Sequence, residues 1–474
     1  LQQAADDGDA TARALVEQLQ VDWSLPPGAP FRNPAWGDAK AQSLNQLRAA
    51  GYAAATWSGT AAEVDTDTRH VRIFVVADSG PLFRSGPLDI QGLKYHDTET
   101  VQNLAGFGPG TPLTETRLLD FQDRLRRSGL FDNASVTFAP DPDHADAAPL
   151  QVRLGEAPRQ VWTFGVGISA DGGPRVSVEH LHRRPFGWAA IAKNKVEWGR
   201  LRRAWDGELS THPLPRQYRW LIGGTYEQLE SDVDVVRSER VRIGHAQNTS
   251  RMDRILFVEG ERSWRRLFDT AGDAVDSEEV ALTLNHHGSW RRLDDLLLPT
   301  RGVTLSLQTG IGQARSQPGG SGPFGRLYGR FTGYWPIGGQ WFGQARIELG
   351  QVFRRSNVGV PDSQQFRAGG DESVRGYAYR SLGPTIDGVL DSGDVLFTSS
   401  VELARPILAR FPSLWGAVFI DAGNAAERFS DLVPAVGIGA GVRWRSPIGP
   451  LKVDLAWGEQ THKLRLHFSV GVAF

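Results

Sequence analysis

The C-terminal two-thirds of the chain alternates apolar and polar residues with a period of two. The pattern is clearest in segment 463–474, where one face is apolar and the other consists of charged, polar or small residues. The apolar face comprises Leu464, Leu466, Phe468, Val470, Val472 and Phe474. Segments 436–444 and 451–457 alternate in the same way. Such alternation is typical of β-strands that separate two environments, here lipid on one side and a wet lumen on the other.

Sixteen segments of this kind can be counted between residues 158 and 474. The thirteen that precede the three above are 159–170, 174–184, 187–199, 201–212, 216–229, 232–246, 251–264, 276–288, 300–312, 323–335, 341–352, 394–405 and 412–424. About twenty residues per strand and connection suit membrane spans of ~9–11 residues. We therefore predict an all-β transmembrane barrel of 16 antiparallel strands over residues 158–474. Tryptophans near the proposed strand ends favour a membrane position, and a soluble β-sandwich is the alternative.

The N-terminal third of the chain contains an internal repeat. Leu47 and Gly51, which end a helical pattern, recur as Leu125 and Gly129, in both cases 78 positions later. The strand pattern that begins at Val71 recurs 79 positions further along. A repeat of this length, a helix followed by two strands, predicts two related α+β modules.

The two modules are predicted to span residues 1–79 and 80–157. The second has an opening strand at 87–92, whereas the first has none, because residues 1–9 are largely polar. We expect the chain to begin inside the first module, with further sequence upstream. The alternative is two unrelated α+β linker domains. In either case the exposed sheet edges suit binding of an extended segment.

Composition narrows the range of functions. With 52 Lys and Arg against 54 Asp and Glu, the formal charge is -2, so we expect no nucleic-acid partner. The sequence has no cysteine, which excludes disulfides, thiolate metal sites and a cysteine nucleophile. His286 and His287 are adjacent in a strand and point to opposite faces, so they cannot easily share a metal ion. No Ser/His/Asp arrangement has a supporting context, and we expect neither an enzyme nor a bound cofactor or metal.

The connection 354–393 is far longer than an ordinary hairpin loop, and long loops are usually functional or disordered. It contains the segment Gly369–Tyr377, which reads GGDESVRGY. Strand alternation also places two carboxylates, Asp421 and Glu402, on the lumenal face of adjacent strands, with Phe419 on the same face as Asp421.

GGDESVRGY resembles the long-loop motif of the outer-membrane assembly superfamily that includes BamA, TamA and the two-partner-secretion transporters. The FIDAG segment at Phe419–Gly423, the sixteen strands and the terminal aromatic Phe474 agree with this resemblance, and the paired modules resemble POTRA domains. GVGISADGGPR at 165–175 and LRAAGYAAATW in the first module are most similar to the TamA type. TamA-type proteins are expected to carry three POTRA modules, whereas one complete and one clipped module are present here, which leaves room for a two-POTRA secretion transporter.

The resemblance implies that the long loop folds back into the barrel and places Arg375 against Asp421 and Glu402. A guanidinium can bridge carboxylates by bidentate bonds that lysine cannot reproduce. Gly376 would allow a tight turn at the loop tip. The expected loop residues are Val374, Arg375, Gly376 and Tyr377, and the expected wall residues are Asp421, Glu402, Phe419 and Gly423.

The barrel is expected to close by pairing its first strand, 159–170, with its last, 463–474. The predicted seam residues are Gly165, Gly167, Val470, Gly471 and Phe474. Glycines weaken strand packing, so we expect a seam that opens sideways and presents strand edges to an incoming β-hairpin.

The resulting hypothesis is a TamA-like insertase of the bacterial outer membrane that folds β-barrel proteins such as autotransporters. Its partners would be the lipid bilayer, unfolded outer-membrane β-proteins and an inner-membrane-anchored, TamB-like protein docked on POTRA modules in the periplasm. The main alternative is a two-partner-secretion transporter that exports a protein through its lumen. A passive porin ranks third, because it would not need dedicated periplasmic modules.

Overall fold

The computed structural model describes residues 1–169, 173–231, 234–268, 274–296, 298–317, 319–386, 389–446 and 449–473. The chain divides into two compact units. The N-terminal unit comprises Leu1–Pro158 together with Pro213–Arg216, and the second comprises Arg159–His212 and Gln217–Phe474.

The N-terminal unit contains five α-helices and two small sheets within its described residues. The helices are α1 (Gln2–Asp6), α2 (Ala10–Val21), α3 (Asn33–Ala49), α4 (Thr98–Ala105) and α5 (Glu115–Arg127). The strands are β1 (Thr56–Asp65), β2 (His70–Asp78), β3 (Ser85–Gln91), β4 (Phe131–Phe138) and β5 (Ala148–Glu156). β1 and β2 form an antiparallel pair, while β3 lies parallel to β5 in a sheet of order β3-β5-β4.

Local sequence explains the limits of α5, the helix of the second repeat. The hydroxyl of Thr114 accepts a hydrogen bond from the backbone N–H of Arg117 and caps the first turn. Gly129, with φ of 70°, follows the helix and turns the chain into β4. Phe121 and Leu125 point from the helix into the module core and are completely buried. None of the helices among the described residues is both long and apolar enough to cross a membrane.

The second unit is a closed antiparallel barrel of sixteen strands, as the alternation predicts. Its strands are β6 (Gln160–Ser169), β7 (Gly173–His182), β8 (Ala190–Gly199), β9 (Arg202–Thr211), β10 (Tyr218–Glu230), β11 (Asp234–Asn248), β12 (Met252–Phe268), β13 (Ala274–Leu293), β14 (Gly302–Gln317), β15 (Ser321–Gly338), β16 (Trp341–Arg354), β19 (Val395–Pro406), β20 (Leu414–Ala426), β21 (Ala435–Ser446), β22 (Gly449–Gly458) and β23 (Lys463–Ala473). Between β16 and β19 lie the two-residue strands β17 (Thr385–Ile386) and β18 (Val389–Leu390). The closed barrel excludes the sandwich alternative.

Several strands extend beyond their predicted limits. The segment predicted at 276–288 is the 20-residue strand β13, about twice the length that a bilayer requires. Most of the residues outside the predicted segment lie at its C-terminal end, which carries Arg291 and Arg292 on opposite faces, and Arg291 pairs with Asp253 of β12. Charged residues on both faces break the apolar alternation, so sequence periodicity detects only the central part of such a strand.

The outer face of the barrel is apolar. On β20, Val418 and Ile420 are 51% and 48% exposed, whereas Phe419 and Asp421, which point inward, are 4% and 0% exposed. Nine tryptophans near strand ends or on the outer face are also exposed, namely Trp162, Trp188, Trp198, Trp205, Trp220, Trp335, Trp341, Trp444 and Trp457. Such a surface suits lipid.

The long connection between β16 and β19 packs inside the barrel. Its side chains form an apolar core with inward-facing residues of the wall. The loop contributes Val358, Val360, Phe366, Ala368, Val374, Tyr377 and Leu382, and the wall contributes Ala281, Ala314, Phe324, Val352, Leu396, Ala425 and Ala435. The long loop therefore lies within the barrel, as the resemblance implies, and packed side chains fill this region.

Candidate functional site

Arg375, at the tip of the long loop, binds the inner wall of the barrel. Its guanidinium holds Asp421 with two bonds, from Nε to Oδ2 at 2.7 Å and from Nη2 to Oδ1 at 2.9 Å. The Arg375 backbone N–H also donates to Asp421, at 3.0 Å. Nη1 donates to Glu402 at 3.1 Å. The guanidinium carbon lies 3.3 Å from the ring centroid of Phe419, a stacked cation–π contact.

The wall supplies two further charged groups that the sequence analysis did not single out. Asp454 on β22 accepts from Arg375 Nη1 at 3.0 Å. Arg443 on β21 binds Glu402 through Nη2 at 2.7 Å and also contacts Asp454. We call Arg375, Arg443, Glu402, Asp421 and Asp454 the tip cluster. Within it two guanidinium groups meet three buried or largely buried acids, and each acid has at least one charged partner.

Two glycines allow the loop tip to approach the wall. Gly376 has φ of 95°, and a Cβ atom there would lie 2.9 Å from the backbone nitrogen of Gly458. On β21, a Cβ atom at Gly437 would lie 1.8 Å from the carbonyl oxygen of Arg375. Gly437 was a further residue missed by the sequence analysis. The available signal was the run of glycines on the inward face of β21, which removes side chains where the loop must fit.

The remaining loop residues of the expected site are buried beside Arg375. Val374 is completely buried and belongs to the lumenal apolar core. The Tyr377 hydroxyl donates to the carbonyl of Val436 at 3.0 Å and accepts from the backbone N–H of Gln460 at 3.1 Å. Gly423, the last residue of FIDAG, lies two residues after Asp421 on β20 and pairs with Thr398 of β19. Among the described contacts it has no bond to Arg375.

A second ionic cluster, separate from the tip cluster, fastens the loop to strands β11 and β12. Arg367, whose side chain is fully buried, binds Asp234 of β11 at 2.7 Å. Arg265 of β12 binds the same carboxylate at 2.9 Å. Arg380 reaches Asp362 within the loop at 2.5 Å. Arg265 also binds Asp391, and the Ser392 hydroxyl donates to Asp362. We call these residues the base cluster. The sequence analysis missed it because its contacts between loop and wall join residues more than one hundred positions apart, such as Arg367 and Asp234.

The first and last strands form the shortest pairing in the described part of the barrel. β6 and β23 share five residue pairs, from Ser169 with Ser469 to Gly165 with Ala473. β22 and β23 share seven pairs, and β12 and β13 share seventeen. Among the predicted seam residues, Gly167 pairs with Gly471, Val470 pairs with Ile168, and Phe474 lies outside the described residues.

The pairing leaves part of each seam strand without a described partner across the seam. On β6 these residues are 160–164, and on β23 they are 463–468. When so short a pairing opens, each strand edge offers backbone donors and acceptors to another chain.

These features define a class of protein, a β-barrel with an apolar outer face and a long loop packed inside its lumen. The Omp85 superfamily domain matches residues 211–474, and the chain belongs to that superfamily. It is therefore an outer-membrane β-barrel protein.

The fold is similar to solved structures at low sequence identity. BamA from Haemophilus ducreyi lacking POTRA domains 1–3 superposes with a TM-score of 0.74 at 17% identity, over 98% of both chains. CdiB from Acinetobacter baumannii gives a TM-score of 0.56 at 13% identity, over 98% of this chain and 86% of the other. Outer envelope protein 80 of Arabidopsis thaliana chloroplasts is 32% identical over 109 residues, which are 23% of this chain and only 15% of that relative.

Proposed function

We propose that the protein is an assembly factor that folds and inserts β-barrel proteins, such as autotransporters, into a bacterial outer membrane. The observation that carries this proposal is the seam, where the first and last strands share five residue pairs, the shortest pairing in the described part of the barrel, so that opening it exposes an edge on each strand. An incoming hairpin can add to such an edge through backbone hydrogen bonds. The work is binding and templating and needs no catalytic group, cofactor or metal.

The state of the lumen favours insertion through the seam over export through the pore. Loop and wall side chains form a continuous apolar core, and two ionic clusters fasten the loop. Export of a polypeptide would require all of these contacts to break. A two-partner-secretion transporter remains the rival function, and a TamA-type role is the finer form of our proposal.

The N-terminal modules are proposed to be POTRA modules in the periplasm that dock a TamB-like partner. Three observations support this assignment. The modules repeat the pattern of helices followed by paired strands, and the match to BamA covers 98% of the chain. In addition, β2 lines a cavity of about 1200 Å³ together with Trp23, Phe31 and Trp57. An extended segment of the partner can pair there with β2.

Locking the seam tests the proposal. The chain has no cysteine, so Ile168→Cys with Val470→Cys introduces one disulfide between register partners. We expect oxidised protein to fail in cell-surface assembly of an autotransporter, and reductant to restore assembly. The matched control is Gly165→Cys with Val470→Cys, because Gly165 pairs with Ala473, three positions away.

Normal assembly by the locked protein would refute insertion at the seam. Ion conductance that rises on deletion of residues 369–377, with no assembly defect in cells, would instead support the secretion transporter.

A further inference from the structure

A histidine on the last strand connects the loop tip to the seam. His467 lies on β23, opposite Asp454 of β22, and is 3% exposed. Its Nε2 atom lies 2.8 Å from the backbone nitrogen of Gly376, and its Nδ1 atom lies 2.5 Å from Oδ1 of Asp371. Both contacts reach the loop motif that carries Arg375.

The hydrogen bonds fix the state of the imidazole ring. The backbone N–H of Gly376 can only donate, so Nε2 must accept and carries no proton. The ring proton therefore lies on Nδ1 and is donated to Asp371. Asp371 thus holds the tautomer that His467 needs in order to bind Gly376.

This contact fills a gap in the loop's attachment to the wall. Arg375 binds residues of β19, β20 and β22, namely Glu402, Asp421 and Asp454. Among the described hydrogen bonds, those of His467 are the ones that join the loop to β23. Without them the described hydrogen bonds of the loop tip would reach the wall only as far as β22, the strand next to β23.

The position of His467 along β23 gives the contact its significance. The residues of β23 that have a described partner on β6 begin at Ser469, so His467 lies two positions from the described pairing across the seam. That pairing is short, with five residue pairs, so a further contact to β23 contributes to holding the strand in place. The loop therefore supports β23 from inside the barrel close to the seam.

We propose that Asp371 and His467 form a latch that couples docking of the loop to closure of the seam. The latch holds β23 in register with β6 while the loop is docked, and its release frees β23 for an incoming strand. By linkage, an incoming strand that displaces β23 weakens the latch to the same extent. His467 is a positioning residue, and the inference rests on the proposed role of the seam in insertion.

The test measures the seam and the loop separately in lipid vesicles. Seam closure is read from the rate of disulfide formation between Ile168→Cys and Val470→Cys. Loop docking is read in a separate background from the maleimide labelling rate of Val374→Cys, because Val374 is completely buried in the docked loop. The latch is broken by Asp371→Ala or by His467→Phe. Glu372→Ala is the matched control, since Glu372 is the neighbouring acid and is exposed.

We expect both latch variants to slow disulfide formation about threefold to tenfold, the effect of losing about one hydrogen bond. Labelling at position 374 should change little, because Arg375 still holds the tip. His467→Gln, whose amide can accept from Gly376 and donate to Asp371, should restore most of the disulfide rate. Glu372→Ala should match the parent.

Unchanged disulfide rates in both latch variants, or an equal change in Glu372→Ala, would overturn the latch. The measurement needs no client protein, so it is independent of the insertase proposal. If the latch variants behave as expected but the locked seam still supports autotransporter assembly, the proposed function fails and the latch stands.

Discussion

Replacing Arg375 by alanine should release the loop tip from the barrel wall. The change removes two bonds to Asp421, which is 0% exposed, and one each to Glu402 and Asp454. Arg443 remains beside Glu402 and Asp454, so Asp421 is the acid that loses its cation. Breaking a buried ion pair in this way costs about 3–5 kcal/mol.

We take the lower figure, about 3 kcal/mol, because Arg443 compensates two of the three acids. It corresponds to a factor of more than about 100 in the ratio of docked to released loop. In the Val374→Cys background the labelling rate follows the released fraction, so Arg375→Ala should raise that rate by about the same factor. The labelling rate in Arg375→Lys should lie between those of the parent and Arg375→Ala, because an ammonium cannot hold both oxygens of Asp421 in the bidentate geometry.

Arg355→Ala is the matched control, since Arg355 is an exposed arginine of the same loop. Its labelling rate should equal that of the parent. A rate within twofold of the parent in Arg375→Ala would show that the apolar core alone holds the tip, and the reasoning from charge would be wrong.

Two further predictions concern Gly437 in the barrel and Glu156 in the second module. Gly437→Ala places a Cβ atom 1.8 Å from the Arg375 carbonyl and should speed labelling of Val374→Cys, whereas Gly260→Ala, with no atom within 4 Å, should not. In the second module the Glu156 carboxylate accepts from the backbone N–H groups of Lys94, Tyr95 and His96 at 2.8–3.0 Å. Burial raises the pKa of Glu156, but these bonds outweigh it and hold the pKa below its ordinary value. The resulting stability is present above the ordinary pKa, about 4.3, and is lost as pH falls through the lowered value. Hydrogen exchange of the amides at 94–96 should therefore be faster in Glu156→Gln at pH 7, with a loss of protection free energy of about 1 kcal/mol at this partly exposed site. In acid the exchange rates of the two proteins should converge. Equal protection at pH 7 would contradict this account.

The sequence predicts the barrel well because strand alternation is a local signal. The inward position of Asp421 and Glu402 and the outward position of Val418 and Ile420 follow directly from a period of two. The site was harder to predict where it depends on residues far apart in the chain. Arg367 and Asp234 are separated by 133 positions, and nothing near either residue indicates the other.

His467 illustrates a second reason why part of the site could not be predicted from the sequence. Alternation placed it on the inward face of the last strand, where a histidine has many possible roles. Its role depends on which loop atoms approach it, namely the Gly376 N–H and Asp371, and that is fixed by the folded path of the loop. The ends of the long strands were missed for a different reason, since charged pairs there replace apolar alternation.

The base cluster makes loop release reversible. Arg367 and Arg380 are anchored on either side of the tip, so a tip that leaves the wall remains tethered through the short segment 368–379. A flexible segment of this length has a root-mean-square reach of about 20 Å. The effective concentration of the Arg375 guanidinium near Asp421 therefore stays in the millimolar range, and recapture is a local search within the barrel.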